Sequence, residues 1–323
     1  MAEFDLIARI KARAAGRDDV VLGIGDDAAL LRVPAGVQLV ATCDSLNAGV
    51  HFAPDTAPAD IGWKALAVNL SDLAAMGASP AWVLLALTLP QSDAAFVDGF
   101  LDGFCELAER AGVALVGGDT TRGPLAMTVT ALGHVPAGAA LTRAGARVGD
   151  IVCVSGTLGD AAAALYLSQR QIEPDPPAVQ LLRTRMQRPR PRMALGMALR
   201  HRAHAAIDLS DGLLADLGHI AVASGVRIEL EAQALPRSNA LAAMFSPSQC
   251  LRFQATGGED YELAFCVPAD RLDEVRQVLG ADGVMLTRIG RVIEGKGVVL
   301  HDAQGAPIVF EQHGWDHFSG AAR

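Results

Sequence analysis

Lysine is nearly absent from this chain: among 323 residues only Lys11, Lys64 and Lys296 carry it. Surfaces that bind duplexes draw most of their affinity from lysine and arginine against phosphate. Here 27 basic side chains face 36 acidic ones, a formal charge of −9, which argues against a general nucleic-acid binder and leaves room only for a local basic patch. No G-x-x-x-x-G-K-[ST] segment is present and none of the three lysines sits in one, so the P-loop kinase reading is excluded. Paired cysteines are also missing. Cys43, Cys105, Cys153, Cys250 and Cys266 are odd in number and widely spaced without a C-x-x-C, which removes a zinc knuckle or redox pair and points to a reducing cytosol. Long apolar runs are lacking too. The most apolar, AWVLLALTL (81–89), is closed by Pro80 and Pro90, far short of the ~20 residues of a membrane-spanning helix. The start, MAEFDLIARIKARAAG, mixes acids and bases with apolar residues and reads as a short amphipathic helix, unlike a secretory signal. A cytoplasmic protein with no membrane segment is expected.

What is present is the balance of a globular chain, 51% hydrophobic and 20% charged. At ~150 residues per domain the length suggests two domains, with a cleft as the natural ligand site. Branched-residue runs at 20–24, 37–43, 82–89, 113–117 and 125–135 read as strands. Between them, 59–77 and 94–112 have apolar residues at helical spacing and end at Gly77 and Gly112. The segment PAGAALTRAGARVGD (136–150) is poor in bulky apolar residues and precedes a new strand, IVCVSG (151–156). The expected fold is therefore α/β (α+β) with two mixed domains, 1–136 and 137–323. The second continues with a helix from GDAAAALYLSQRQ, a proline-broken stretch at 173–177, a basic helical region to 200, and IDLSDGLLADLGHIAVASG (207–225). NLSD (69–72) and DLSD (208–211) are too short to establish a repeat.

Aspartates stand beside small residues at the ends of apolar segments: GIGDDAAL (23–30), ATCDS (41–45), NLSDLAAMG (69–77), VGGDTT (116–121), DLSDGL (208–213) and TGGEDYEL (256–263). One such aspartate is ordinarily a helix cap or turn residue. Six in glycine-rich settings suggest one shared site at the carboxyl ends of strands. Carboxylates repel phosphate but hold hard cations that bind phosphate on their other side, and Mg²⁺ is the expected ion, several of them suiting a nucleoside triphosphate with a phosphorylated acceptor. SGTLGDAAAAL (155–165) reads as a glycine-rich turn whose first helical amides face outward to phosphate, with Asp160 as either a functional or a helix-end charge. Arg143 is a candidate phosphate contact or a surface arginine.

With these motifs in view, together with CDSLNAGVHF (43–52), LTRAGARVGD (141–150) and the terminal GWDHF (314–318), the chain resembles, nearly end to end, the thiamine-monophosphate kinase family. That family belongs to the ATP-binding superfamily of aminoimidazole ribonucleotide synthetase and selenophosphate synthetase. The resemblance implies an aminoimidazole ribonucleotide synthetase-like fold whose N-terminal sheet domain makes a homodimer. It also implies transfer of the ATP γ-phosphoryl group directly to thiamine monophosphate, with no protein nucleophile. By the same resemblance Asp27, Thr42, Asp44, Asp72, Asp119, Asp208 and Asp211 fall on magnesium positions. Gly118, Asp119, Arg143 and Ser210 fall on ATP positions, and His51, Glu259 and Trp315 on substrate positions. The first domain then carries metal and ATP, and the second completes the ATP and substrate site. Cys43 departs from the threonine common before the aspartate; a thiol is a poor magnesium ligand, so any metal contact there runs through its carbonyl.

Such transfer depends on alignment and charge neutralisation. Trp315 offers a π-face to a cationic thiazolium, and Glu259 an acceptor to an aminopyrimidine; the competing readings are a core tryptophan anchoring the tail and a structural His51. Among relatives, selenophosphate synthetase needs an early reactive cysteine, whereas the first here is Cys43, and the hydrogenase-maturation relative ends in a reactive cysteine, whereas this chain ends GAAR. Aminoimidazole ribonucleotide synthetase is the runner-up, disfavoured by GVHF and GWDHF. A non-catalytic magnesium and nucleotide sensor is the alternative from another class.

Overall fold

A computed structural model describes residues 3–170, 177–280 and 283–315. Most of the proline-broken stretch at 173–177, and Asp316, His317 and Phe318 of the terminal motif, lie outside those residues. The chain divides into two units, Met1–Leu73 with Ala78–Ala140, and Ala74–Gly77 with Leu141–Arg323.

The first unit contains α1 (Glu3–Arg13), β1 (Val20–Leu22), β2 (Leu30–Leu31), β3 (Val37–Asn47), α2 (Pro58–Ala75, whose last two residues fall in the second unit), β4 (Ser79–Leu89), α3 (Ala94–Ala111), β5 (Ala114–Arg122) and β6 (Ala126–Pro136). Its main sheet runs β3-β6-β4-β5; only β4 and β5 are parallel, and the other pairs are antiparallel. In α3 the buried Val97, Phe100, Leu101, Phe104, Leu107 and Ala108 recur at three- and four-residue steps, the stripe of a half-buried helix. Asp93 caps its start by accepting from the Phe96 amide, and Gly112 closes it in the left-handed region. By contrast, α2 is buried on every side from Ile61 to Ser71, so it sits inside the unit. The two helices meet backbone to backbone: a Cβ at Gly62 would land on the Phe100 carbonyl, and one at Gly103 on the Ala59 carbonyl.

On another side Trp82, fully buried, packs with Ala81, Ala114 and Val116 against Val20, Ala29 and Leu31. Its indole Nε1 donates to Asp19 Oδ1 at 3.0 Å, and Arg17 Nε and Nη2 donate to the same carboxylate at 2.9 and 2.7 Å. The Arg17 hydrogen bond is the main reason the Asp19 carboxyl is lowered to about 2.

The second unit contains β7 (Ile151–Ser155), α4 (Asp160–Ser168), α5 (Pro177–Gln187), α6 (Met193–Leu199), β8 (Ala205–Asp208), α7 (Leu213–Ser224), β9 (Arg227–Glu231), α8 (Asn239–Met244), α9 (Pro247–Thr256), β10 (Leu263–Val267), α10 (Leu272–Leu279), β11 (Leu286–Ile293), β12 (Gly297–His301) and β13 (Pro307–Ile308). Seven strands form one mixed sheet, β13-β12-β9-β11-β7-β10-β8, in which β9 and β12 are parallel. Period-two burial divides its faces. Val152, Val154, Ile207, Ala264 and Cys266 pack with Leu213, Leu217 and Ile220 of α7, while Ile151, Cys153, Ala206, Phe265 and Val267 pack with Leu195 and Leu199 of α6 and Val275 of α10. Both units are thus mixed α/β layers, as expected. The basic region to residue 200 is two helices interrupted at 188–192, where Pro189 and Pro191 cannot continue the hydrogen-bond ladder. No described helix is long and apolar enough to cross a membrane.

Candidate functional site

The aspartates are not all at strand edges. Asp44 lies within β3, Asp119 within β5 and Asp72 in the last turns of α2, while Asp208 does end β8. Alternation along β3 puts Thr42, Asp44 and the buried Leu46 on one face and Cys43 on the other. There the Cys43 sulfur accepts from Thr130 Oγ1 at 3.4 Å. Thr42 Oγ1 donates to Asp72 Oδ2 at 2.5 Å, and the Asp44 amide donates to Asn69 Oδ1 at 3.0 Å. The Asn69 side chain is itself tied to the Ala65 carbonyl at 3.0 Å, so one helix orients two neighbouring positions of one strand.

Gly118 has φ +147°, and a Cβ there would collide with the Leu85 carbonyl of the adjacent strand. The glycine is required for β4 and β5 to pair at this point, where Leu85 faces Gly118 and Ala86 faces Asp119. Half-buried His51 accepts from the Asn47 amide at Nδ1, 3.0 Å away, which puts the proton of the neutral ring on Nε2. Its carbonyl accepts from Lys64 Nζ at 2.9 Å, and Lys64 is only 4% exposed.

In the second unit three segments interlock through their backbones. The Glu259 amide donates to the Ser210 carbonyl at 2.8 Å, Tyr261 to Leu209 at 2.9 Å, and Trp315 to Asp211 at 2.9 Å. This brings Ser210, Asp211, Glu259 and Trp315 together beside Asp208, which is 4% exposed. Trp315 is 47% exposed, so it is not a core tryptophan and presents ring surface to solvent. Behind Asp211, a single oxygen of buried Asp216 accepts from the amides of Asp211 (3.1 Å) and Gly212 (3.0 Å). Burial raises the Asp216 carboxyl to about 7, outweighing those two amides.

Asp27, Asp119 and Arg143 are exposed, and the hydrogen bonds just described do not reach them. Asp27 lies between β1 and β2, its amide donating to Asp26 Oδ1 at 2.9 Å. The carbonyl of Arg143 accepts from Ser224 Oγ at 3.1 Å. In the glycine-rich turn before α4 the amides that precede the helix are taken by the protein. The Gly159 amide donates to Asp260 Oδ2 at 2.8 Å and the Leu158 amide to the Pro236 carbonyl at 3.1 Å, so these donors serve the protein interior. Asp160, 1% exposed, is part of that interior.

Three residues emerge that sequence reasoning missed. Asn69 was within reach, as the first letter of NLSD. Lys64 carries no local signal, because it acts on a loop thirteen residues away that folding brings to it, whereas Asp216 acts on amides only four and five residues before it, within the DLSDGLLAD segment. For magnesium, the donors at the expected positions are carboxylate and hydroxyl oxygens, and the one sulfur among them is turned to the opposite face of β3, a set that fits a hard cation. Among the described residues no three His, Cys, Asp or Glu side chains form a ready-made metal cage. Magnesium usually keeps water and substrate oxygens in its shell and needs no all-protein cage.

The chain matches the model of the AIR synthase related protein N-terminal domain over residues 25–135 and that of the C-terminal domain over 147–303. It is 48% identical over 319 residues to the thiamine-monophosphate kinase of Escherichia coli K12, covering 98% of both chains. A crystal structure of thiamine-monophosphate kinase from Stenotrophomonas maltophilia superposes with a TM-score of 0.87 at 52% identity, covering 93% of this chain and 96% of that one. A structure described as AaThiL complexed with AMPPCP and TMP superposes with a TM-score of 0.79 at 34% identity, covering 98% of this chain and 97% of the other. The chain belongs to the thiamine-monophosphate kinase family, built on the two domains of the AIR synthase related proteins.

Proposed function

We propose that the protein transfers the γ-phosphoryl group of ATP to thiamine monophosphate, forming thiamine diphosphate and ADP in thiamine diphosphate biosynthesis. The observation that carries this is full-length kinship, at 34% identity, with a chain whose structure holds AMPPCP, an ATP analogue, together with TMP. An oxygen of the acceptor phosphate attacks the γ-phosphorus in line while the bond to the β–γ bridging oxygen breaks. The acceptor is a phosphate monoester with a second pKa of ~6, already ionised at neutral pH, so neither a protein nucleophile nor a strong base is required.

In this reading Asp27, Thr42, Asp44, Asp72 and Asp119 of the first unit and Asp208 and Asp211 of the second hold magnesium ions. When bound, such ions neutralise phosphate charge and polarise the transferred group. Thr42, Asp44 and Asp72 are oriented in advance by the strand-to-helix hydrogen bonds, which lowers the reorganisation needed when the polyphosphate arrives. Gly118, Asp119, Arg143 and Ser210 take ATP. His51, Glu259 and Trp315 take thiamine monophosphate, the exposed indole stacking on its cationic ring. On this reading residues 1–136 serve metal and ATP, and 137–323 complete the ATP and substrate site.

Self-association through the first-unit sheet belongs to the same reading. Leu39 of that sheet is 48% exposed, and Val21 and Leu30 of the separate β1–β2 pair are 59% and 57% exposed; sedimentation tests the association. A cytoplasmic setting suits free cysteines, and the charge of −9 suits small anions carried with magnesium better than nucleic acid. Purified protein given magnesium, ATP and thiamine monophosphate should produce thiamine diphosphate and ADP in equal amounts. Nucleotide binding without product would identify a sensor instead.

A further inference from the structure

Glu259 and Tyr261 have φ values of +68° and +49°, two of only three non-glycine residues with positive φ among those described. Neither is a residue type that adopts this region readily, so the surroundings must enforce it. In front, the loop is held by the bonds from Glu259 and Tyr261 to Ser210 and Leu209, and the Leu209 amide returns a bond to the Glu262 carbonyl at 2.9 Å. Behind, the Glu262 side chain is 1% exposed. Its Oε2 accepts from Ser155 Oγ at 2.5 Å and from Arg192 Nε at 2.6 Å, and its Oε1 from Arg185 Nη2 at 2.8 Å and from Arg192 Nη2. Arg185 also approaches Asp160 Oδ2 at 3.6 Å, whose carboxylate accepts from Thr157 at 3.0 Å and Ser238 at 2.6 Å.

Arg185 and Arg192 lie against the carboxylates of Glu262 and Asp160, and full burial pushes the Asp260 carboxyl well above the usual carboxylate range. A buried ion cluster is a poor way to gain stability compared with apolar packing, but a planar guanidinium fork fixes the plane of its carboxylate. What this fork fixes is the residue at which the strained loop enters β10.

We infer that Arg192 and Arg185, acting through the Glu262 carboxylate, are positioning residues that hold Glu259 in the left-handed conformation in which it meets the acceptor substrate. This rests on the proposed substrate role of Glu259. The test is Arg192→Lys, which keeps the charge and removes the two-nitrogen hold, alongside Ser155→Ala as a milder variant that decides by the same readouts if the first does not fold. Arg192→Lys should raise the KM for thiamine monophosphate roughly tenfold with the KM for ATP and kcat within about twofold, and Ser155→Ala should do so less. In both variants the amides of Glu259 and Tyr261 should exchange with deuterium faster than in the natural protein. Equal changes in both KM values, no change, or a raised KM with unaltered exchange overturns the inference. Glu259→Ala must raise the same KM; if it does not, the inference falls while turnover leaves the kinase reading standing. If the natural protein makes no thiamine diphosphate, the kinase reading falls by itself, and unaltered exchange in the variants then overturns the loop-holding role as well.

Discussion

Thr42 donates to Asp72 at 2.5 Å across the space between an edge strand and a buried helix. The bond settles which way the threonine lone pairs and the aspartate oxygens face before any substrate arrives. Thr42→Val keeps the shape and deletes the donor. Its kcat/KM should fall roughly tenfold to a hundredfold, at a cost of ~1 to 3 kcal/mol, while the melting temperature changes little. Steady-state kinetics at saturating and limiting magnesium check this, and the loss should be larger when magnesium is limiting.

Trp315 has its amide tied to Asp211 and about half its surface exposed. Trp315→Ala should raise the KM for thiamine monophosphate by about tenfold, the equivalent of ~1 to 2 kcal/mol of cation–π attraction. Trp315→Phe should recover part of that. The KM for ATP should be unmoved in both. Equal sensitivity of both substrates would assign the indole to general packing of the segment.

Cys43 stands between Thr42 and Asp44 in sequence, yet its sulfur faces Thr130 on the other side of β3. Cys43→Ser should therefore leave kcat and the magnesium requirement within about twofold, since a period-two strand separates this side chain from its neighbours. A large loss of magnesium affinity would place the thiol on the wrong face.

Asp19 supplies a pH-dependent term in stability. Its folded value of about 2 lies below the ordinary 3.8, so the gain is present above about pH 4 and is lost as pH falls through about pH 2. With 21% of the side chain still exposed, the term is worth ~1 to 2 kcal/mol. Urea midpoints of the natural protein and Asp19→Asn should differ at pH 6 and converge as the pH approaches 2. A gap that stays constant over that range would show that the carboxylate charge is not what Arg17 and Trp82 hold.

Helix α3 was legible because its apolar spacing and Gly112 stop are local. The start of β3 was legible for the same reason as a branched run from 37, though the strand continues beyond 43 to Asn47. Asp72 fell inside the helix read at 59–77, which the structure forms as Pro58–Ala75. The position of Asp119 was not legible: an aspartate beside glycines reads as a turn, yet Gly117 and Gly118 continue into a ladder with Leu84 and Leu85. In the turn before α4, Asp260, 101 residues further on, takes the Gly159 amide. Likewise Arg192 meets Glu262 across 70 residues. Pairings of that kind are products of the whole fold, and no window of sequence contains them.

The bare crossing of α2 and α3 limits which sequences can carry out this chemistry. Asp72 is ten residues beyond Gly62, ~15 Å along the helix axis, and the same helix carries Lys64 and Asn69. An alanine at Gly62 or Gly103 would drive its methyl into the Phe100 or Ala59 backbone carbonyl, lever the helix off its neighbour and carry Asp72 and Asn69 away from β3. Loss of activity in such a variant would therefore be a mechanical fault, with every reactive side chain still encoded.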